Sequence, residues 1–263
     1  MFLIGQNIVL QSKKPKTNGI YDEEDDHNIQ HETSKEKRMK VDEEGLYSVT
    51  NTKWGRAMAN LMIQACRETK LFEKCINKDD SEAENESSPR HIAIDLTASV
   101  GGMTLGLARS NFFNQILALE IDKRRAQLCQ ENMERHGYGD LVEVRNKDSV
   151  LQISSLPRRA CVVIDPPWGG YDYKHKARQE ERNGRGNILM LGETYLDDVL
   201  EKIAKNNAPC LVGLRLPAAY NLQNLLDALS QESRKVHFQK MTVRKISVQL
   251  FVVLHFPFPS CEE

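Results

Sequence analysis

Beyond residue 90 the chain alternates short apolar runs with amphipathic stretches, and the alternation sets out an order of elements. His91 to Leu96, Gln115 to Ile121, Leu141 to Arg145, Ala160 to Ile164 and Cys210 to Leu216 read as strands, because each is a brief run rich in Ile, Val or Leu. Met103 to Ser110, Lys123 to His136, Glu193 to Asn206 and Asn221 to Glu232 carry apolar residues at helical spacing. Two further strands, near Val236 to Val243 and Ser247 to Phe256, follow each other with no helix between them, which predicts an antiparallel hairpin at a sheet edge. Strands alternating with helices predict an α/β fold, a doubly wound Rossmann-like sheet of seven strands with that hairpin at its C-terminal end.

Upstream the pattern differs. Residues 1–40 are polar, with a basic Lys13-Lys14-Pro15-Lys16 patch and an acidic run from Asp22 to Asp26, a composition expected to stay disordered. The basic patch suits a solvated tail better than an import signal. In residues 41–77, Trp54, Met58, Leu61, Met62 and Ala65 recur at helical spacing, with Ser48 or Thr50 placed to cap, so a small N-terminal helical extension is expected there. Residues 78–90 form a charged, Ser-rich linker, and residues 91–258 form the main domain.

Composition narrows the function classes. The 263 residues carry a formal net charge of −1, so the chain is no general coater of polyanions and any nucleic-acid contact is local. Its six cysteines form no C-x-x-C pair and have no His partner at metal spacing, which predicts reduced thiols and no metal. No stretch approaches the ~18 apolar residues of a membrane span, so no membrane partner is expected.

The chemistry gathers at strand ends. Asp165-Pro166-Pro167-Trp168-Gly169-Gly170 follows the strand at Ala160 to Ile164. The prolines remove two backbone donors and leave carbonyls beside a carboxylate, so the loop can accept both protons of an exocyclic amine. Trp168 offers a face for the ring that bears such an amine, worth roughly 1–3 kcal/mol for a stacked base. The alternative is a tight turn capped by a core tryptophan. The first strand ends in Asp95-Leu96-Thr97-Ala98-Ser99-Val100-Gly101-Gly102, where Gly101 and Gly102 suit close approach of backbone to a ligand. The next ends at Glu120-Ile121-Asp122, with an acid where ribose hydroxyls are gripped in such sheets, and the third at Asn146-Lys147-Asp148, placed to read an adenine amine. An acid at Asp95 repels a pyrophosphate and suits the ammonium of S-adenosylmethionine, which favours a methyl donor over a dinucleotide.

With these motifs the chain resembles the RNA cap guanine-N2 methyltransferases, the trimethylguanosine synthase family. Glu44 to Thr50 (EGLYSVT) is similar to that family's E-G-W-F-S-V-T segment, Asp95 to Gly102 to its D-x-F-C-G-V-G-G turn, and Asp165 to Tyr173 (DPPWGGYDY) to its S-P-P-W-G-G-P-D-Y loop. The resemblance covers about Glu43 to Phe256. It implies a class I methyltransferase fold, S-adenosylmethionine as donor with S-adenosylhomocysteine as product, and a 7-methylguanosine cap on small nuclear or nucleolar RNA as acceptor. It also implies a monomeric protein of the nucleus, with the cytoplasm as the alternative, whose tail meets ribonucleoprotein partners.

Carried over by position, Thr50, Asp95, Thr97, Gly101, Thr104, Glu120, Ile121, Asp148 and Asp165 would line the donor site. Asp165 and the Pro166 carbonyl would orient the amine for in-line attack, and Trp168 would stack on the cap. Tyr173, Lys174, Lys176 and Arg178 beyond the tryptophan, with Arg244 and Lys245 at the final hairpin, are candidates for the acceptor and its phosphates. Departures from the family pattern are Ser99 for a glycine, Thr97 for Phe, Asp165 for Ser, and Leu216-Pro217-Ala218-Ala219 for an L-P-R-N stretch, which removes one expected phosphate contact. Asp165 also suits an adenine-N6 methyltransferase, and an inactive cap-binding scaffold is a further alternative.

Overall fold

The computed structural model describes the backbone of residues 7–10, and residues 38–43, 50–71, 91–157, 159–168, 189–206, 211–231, 236–247 and 249–257. Its strands are β1 (Asn7–Leu10), β2 (Ile92–Asp95), β3 (Gln115–Glu120), β4 (Val142–Asn146), β5 (Ala160–Ile164), β6 (Met190–Leu191), β7 (Thr194–Tyr195), β8 (Leu211–Pro217), β9 (Lys240–Ile246) and β10 (Gln249–His255). The helices are α1 (Thr52–Thr69), α2 (Gly102–Ala108), α3 (Lys123–Arg135), α4 (Ser149–Gln152), α5 (Leu196–Lys205) and α6 (Leu222–Ser230).

The main sheet runs β1-β9-β10-β8-β5-β2-β3-β4. Within it β8, β5, β2, β3 and β4 run parallel to one another, and β10 lies antiparallel between β8 and β9. The seven expected strands, hairpin included, are all present. From β2 the chain steps outward to β3 and β4, then returns to the other side of β2 as β5. That reversal opens a crevice beyond the carboxyl ends of β2 and β5, where open α/β sheets take their ligands. β5 is buried at every residue, as expected of a central parallel strand covered on both faces.

Three differences from the expected elements have plain causes. An eighth strand, β1, pairs parallel to β9 from Asn7 opposite Lys240 to Leu10 opposite Val243, so the tail expected to be disordered is ordered there. Ile8-Val9-Leu10 is a β-prone run inside a polar segment, and it covers an otherwise open sheet edge. The last hairpin starts later than its apolar pattern suggested, with β9 beginning at Lys240. The cap of α1 is Asn51, whose side chain accepts from the Lys53 N–H at 2.9 Å, in place of the Ser48 or Thr50 expected.

The helical extension is a layer of the core. A Cβ on Gly106 would lie 2.3 Å from the Gly55 carbonyl carbon, so α1 and α2 cross with their backbones nearly touching. A Cβ on Gly213 of β8 would meet the sulfurs of Met62 and Met58, which shows how closely α1 lies on the sheet. Apolar side chains of α1, α2 and α3 fill this face together with Phe251 and Val253, while α5 and α6 cover the other with Val162, Ile164 and Leu214. Cys66, Cys129 and Cys161 are buried in this layer, with the sulfurs of Cys66 and Cys161 3.0 Å apart.

Candidate active site

Four strand tips converge at the crevice. Asp95, at the end of β2, is fully buried. Its Oδ1 accepts from the Thr97 N–H at 3.1 Å and its Oδ2 from the Thr104 hydroxyl at 2.7 Å. Both oxygens are therefore engaged within the protein, one by the turn and one by α2. Burial pushes its pKa up to about 7 against the two hydrogen bonds, with the charges of Asp165 and Glu120 adding to the rise.

The glycines of the turn also serve the protein itself. Gly101 has φ +98°, and a Cβ there would meet Met133 and Cys129 of α3. A Cβ on Gly102 would lie 2.3 Å from the Thr50 carbonyl oxygen. The close approach read from these glycines is thus between chain segments. Ser99 takes φ +48°, the left-handed conformation a glycine adopts freely, which gives a physical reason for the glycine in the family pattern. Its N–H donates to Glu120 Oε2 at 2.8 Å, while its buried hydroxyl has no hydrogen-bond partner among the described residues.

At the end of β3, Glu120 also accepts from the Asp122 N–H at 2.9 Å. Ile121 beside it is 63% exposed, an unusual place for a large apolar side chain and a ready wall for a flat ring. The Asn146 amide holds this tip by donating to the carbonyls of Glu120 and Ile121 at 2.9 and 2.8 Å. Asp148 caps α4 by accepting from the Val150 N–H at 2.9 Å, the loop-cap alternative for that acid.

The end of β5 carries the densest network. Asp165 donates its N–H to Thr97 Oγ1 at 2.8 Å, tying the loop to the β2 turn. Its Oδ2 accepts from the Thr50 hydroxyl at 2.7 Å and forms an ion pair with Arg215 Nη1. Burial raises the Asp165 pKa, and the Arg215 charge and the Thr50 hydrogen bond oppose that rise. Arg215 is itself buried near the end of β8, donates from Nε to Gln249 Oε1 at 2.9 Å, and reaches Thr50 Oγ1 at 3.2 Å. Its guanidinium carbon lies 4.7 Å from the centroid of the Trp168 ring, a cation–π contact. Trp168 is half-buried and also touches the apolar core, so the core-cap alternative and the exposed-platform reading each describe part of it.

Thr50, Thr97, Asp165, Pro166 and Trp168 thus come together, with Asp95 and Thr104 beneath them. Arg244 lies opposite Phe251, which lies opposite Arg215, so Arg244 projects on the same face two strands away. Lys245 faces the other side, because the pleat alternates, and is not brought to the site. Tyr173, Lys174, Lys176 and Arg178 lie outside the described residues. Sequence reasoning missed Arg215 and Gln249. The signal was a lone arginine inside the apolar run Leu211-Val212-Gly213-Leu214-Arg215-Leu216, since a buried charge requires a partner.

A model of the RNA cap guanine-N2 methyltransferase family matches residues 90–257. The chain belongs to that family. It is 25% identical over 211 residues to uncharacterized protein L320 of Acanthamoeba polyphaga mimivirus, covering 78% of each chain. It is 27% identical over 163 residues to the rRNA N(6)-adenosine-methyltransferase metl-5 of Caenorhabditis elegans, covering 56% of this chain and 75% of that one. Among solved structures it is similar to the hMettl16 catalytic domain in complex with an RNA hairpin, with TM-score 0.54, 14% identity and 84% and 76% of the two chains covered. It is also similar to a putative RNA methyltransferase, PH1948 of Pyrococcus horikoshii, with TM-score 0.50, 14% identity and 86% and 94% covered. The family makes this chain an RNA methyltransferase of Rossmann-like fold, and it implies S-adenosylmethionine as methyl donor.

The residues present fit that donor. Exposed Ile121 suits a purine face, and the Glu120 carboxylate beside it suits ribose hydroxyls.

Proposed function

We propose that this enzyme methylates the exocyclic 2-amine of a 7-methylguanosine cap on RNA, giving di- or trimethylguanosine, in the nucleus. Supporting this reading above all is Trp168, held at the mouth of the crevice in a loop matching the family's tryptophan motif, with Arg215 against its ring. S-adenosylmethionine, when bound, supplies an electrophilic methyl group. The protein's part is to bind and aim the amine. Both described side-chain hydrogen bonds of Asp165 fall on Oδ2, which leaves Oδ1 to accept one amine proton. The Pro166 carbonyl, with no N–H beside it, suits the other. Stacking of the base on Trp168 fixes the ring plane, and a 7-methylated guanine gains a cation–π attraction of roughly 0.5–2 kcal/mol that guanine lacks. Fixing the reacting groups in near-attack geometry supplies several kcal/mol without a strong base.

A second reading, methylation of the adenine 6-amine, is favoured by the metl-5 relative and by the carboxylate at 165. One assay separates the two. Mass spectrometry should find methyl groups added to 7-methylguanosine diphosphate, and Trp168→Ala should lose that transfer while calorimetry still detects the donor binding. Transfer to an adenine oligonucleotide and none to the cap analogue would replace the first reading with the second.

A further inference from the structure

We propose that Arg215 is a positioning residue for methyl transfer: together with the Thr50 hydroxyl it holds one oxygen of Asp165, keeps that carboxylate charged, and leaves the other oxygen to the amine of the base. The inference rests on the role given to Asp165 in the cap reading and deepens it. Asp165 Oδ2 accepts from the Thr50 hydroxyl at 2.7 Å and pairs with Arg215 Nη1, which also donates to Thr50 Oγ1 at 3.2 Å. The three groups close a triangle on Oδ2, and both side-chain hydrogen bonds of Asp165 among the described residues fall on that oxygen. Arg215 Nε is anchored on Gln249 Oε1 at 2.9 Å, and the guanidinium carbon lies 4.7 Å from the centroid of the Trp168 ring. The planar fork is therefore fixed by contacts besides the ion pair, which the compact head of a lysine could not match.

The site needs that cation. An ionised carboxylate only accepts hydrogen bonds, whereas a protonated one presents an O–H, and an amine already brings hydrogens of its own. Burial works against the charge by raising the Asp165 pKa. The neighbouring strand tips add acids, Asp95 on β2 and Glu120 on β3. Burial, and after it the charges of Asp165 and Glu120, push Asp95 up, so by reciprocity Asp95 disfavours charge on Asp165. Thr50, ahead of α1, and Gln249 of β10 are uncharged, which leaves Arg215 of β8 as the cation in this group. Its charge opposes the rise at Asp165, and so does the Thr50 hydrogen bond. Asp165 stands where the family pattern has an uncharged serine, which needs no counter-charge, and Arg215 interrupts the apolar run of β8. The acid and the arginine are thus read as one change at two places in the chain.

The test is the pH profile of kcat/KM for methyl transfer to 7-methylguanosine diphosphate at saturating S-adenosylmethionine, each variant being divided by wild type so that titration of the nucleotide cancels. In Arg215→Gln the acid limb should move up by about one to three pH units, so that the ratio is lowest at acid pH and climbs roughly tenfold or more as pH rises. Arg215→Lys keeps the charge and should hold the limb near that of wild type, even with transfer weakened at every pH. Thr50→Val leaves both charges in place and removes one hydrogen bond, so its limb should rise by less than that of Arg215→Gln. It reads the arrangement on Oδ2 even where Arg215→Gln does not fold. A displaced Trp168 or a loosened fold would instead lower transfer equally at every pH. A pH-independent loss in Arg215→Gln, or an unmoved limb in Thr50→Val, would overturn the inference and leave the cap reading intact. Wild type without transfer to the nucleotide would overturn the cap reading and the inference with it.

Discussion

The crossing of α1 and α2 is where a single methyl group should be felt most clearly at the active site. In Gly106→Ala the new Cβ would stand 2.3 Å from the carbonyl carbon of Gly55, 2.5 Å from its Cα and 2.7 Å from its oxygen. Carbon atoms prefer about 3.5–4.0 Å, so the shortfall exceeds 1 Å and every atom met is backbone. No rotamer change relieves it, and the two helices must part. Overpacking of this kind costs about 1–3 kcal/mol, and the absence of a flexible neighbour places this site at the upper end. The better helix propensity of alanine returns up to ~1 kcal/mol. The net loss of about 2 kcal/mol predicts a fall in Tm of about 4–8 °C for a domain of this size. Gly137→Ala is the control, because that position has φ +80° but nothing within 4 Å of the added Cβ, so only backbone conformation is disturbed. Urea and thermal unfolding of the three proteins should rank wild type first, Gly137→Ala second and Gly106→Ala last. Because α1 begins two residues after Thr50, whose hydroxyl is 2.7 Å from Asp165, Gly106→Ala should also weaken donor binding at temperatures where it is still folded. A Gly106→Ala protein that melts with wild type would refute the reasoning, since it would mean that the helices are free to separate.

Asp95 and Asn132 carry two shorter predictions. Folded Asp95 keeps its proton up to about pH 7, whereas the unfolded chain loses it near 3.8. Between those values the native state binds more protons, so this contribution to stability is complete below the lower value and is lost as pH rises through the higher one. In Asp95→Asn the drop in urea midpoint between about pH 5 and about pH 8 should shrink, and an unchanged drop would show that Asp95 is ionised throughout. Asn132 of α3, fully buried, accepts from the Lys40 N–H at 2.7 Å and donates to the carbonyls of Lys40 and Val100 at 2.8 Å. Asn132→Ala leaves those groups unpaired, so a loss of about 2–4 kcal/mol in urea unfolding is expected, and a loss under 1 kcal/mol would mean that water replaces the amide.

Much of this was legible in the chain itself. Apolar runs separated by amphipathic stretches determine the seven strands and their helices, because burying one face of each element leaves few other arrangements. Asp165 to Trp168 and the acids after β2 and β3 were readable as a site because open α/β sheets put ligands beyond their strand ends. What the sequence could not reveal are distances between residues far apart in the chain. Ile8 to Leu10 seemed part of a polar tail, since edge pairing depends on a strand more than 200 residues away. Gly101 and Gly102 suggested room for a ligand, yet the atoms they admit belong to α3 and Thr50.

Asp165 shows the division most sharply. The sequence determined that a carboxylate leads the Pro-Pro-Trp loop, and it gave the tryptophan its partner chemistry. Only the tertiary structure decided that this carboxylate would be paired, because Thr50, Arg215 and Gln249 come from separate segments that meet where β8 runs between β5 and β10 and α1 begins. A buried charge imposes the need for a partner; which partner answers that need is a matter of three-dimensional neighbourhood.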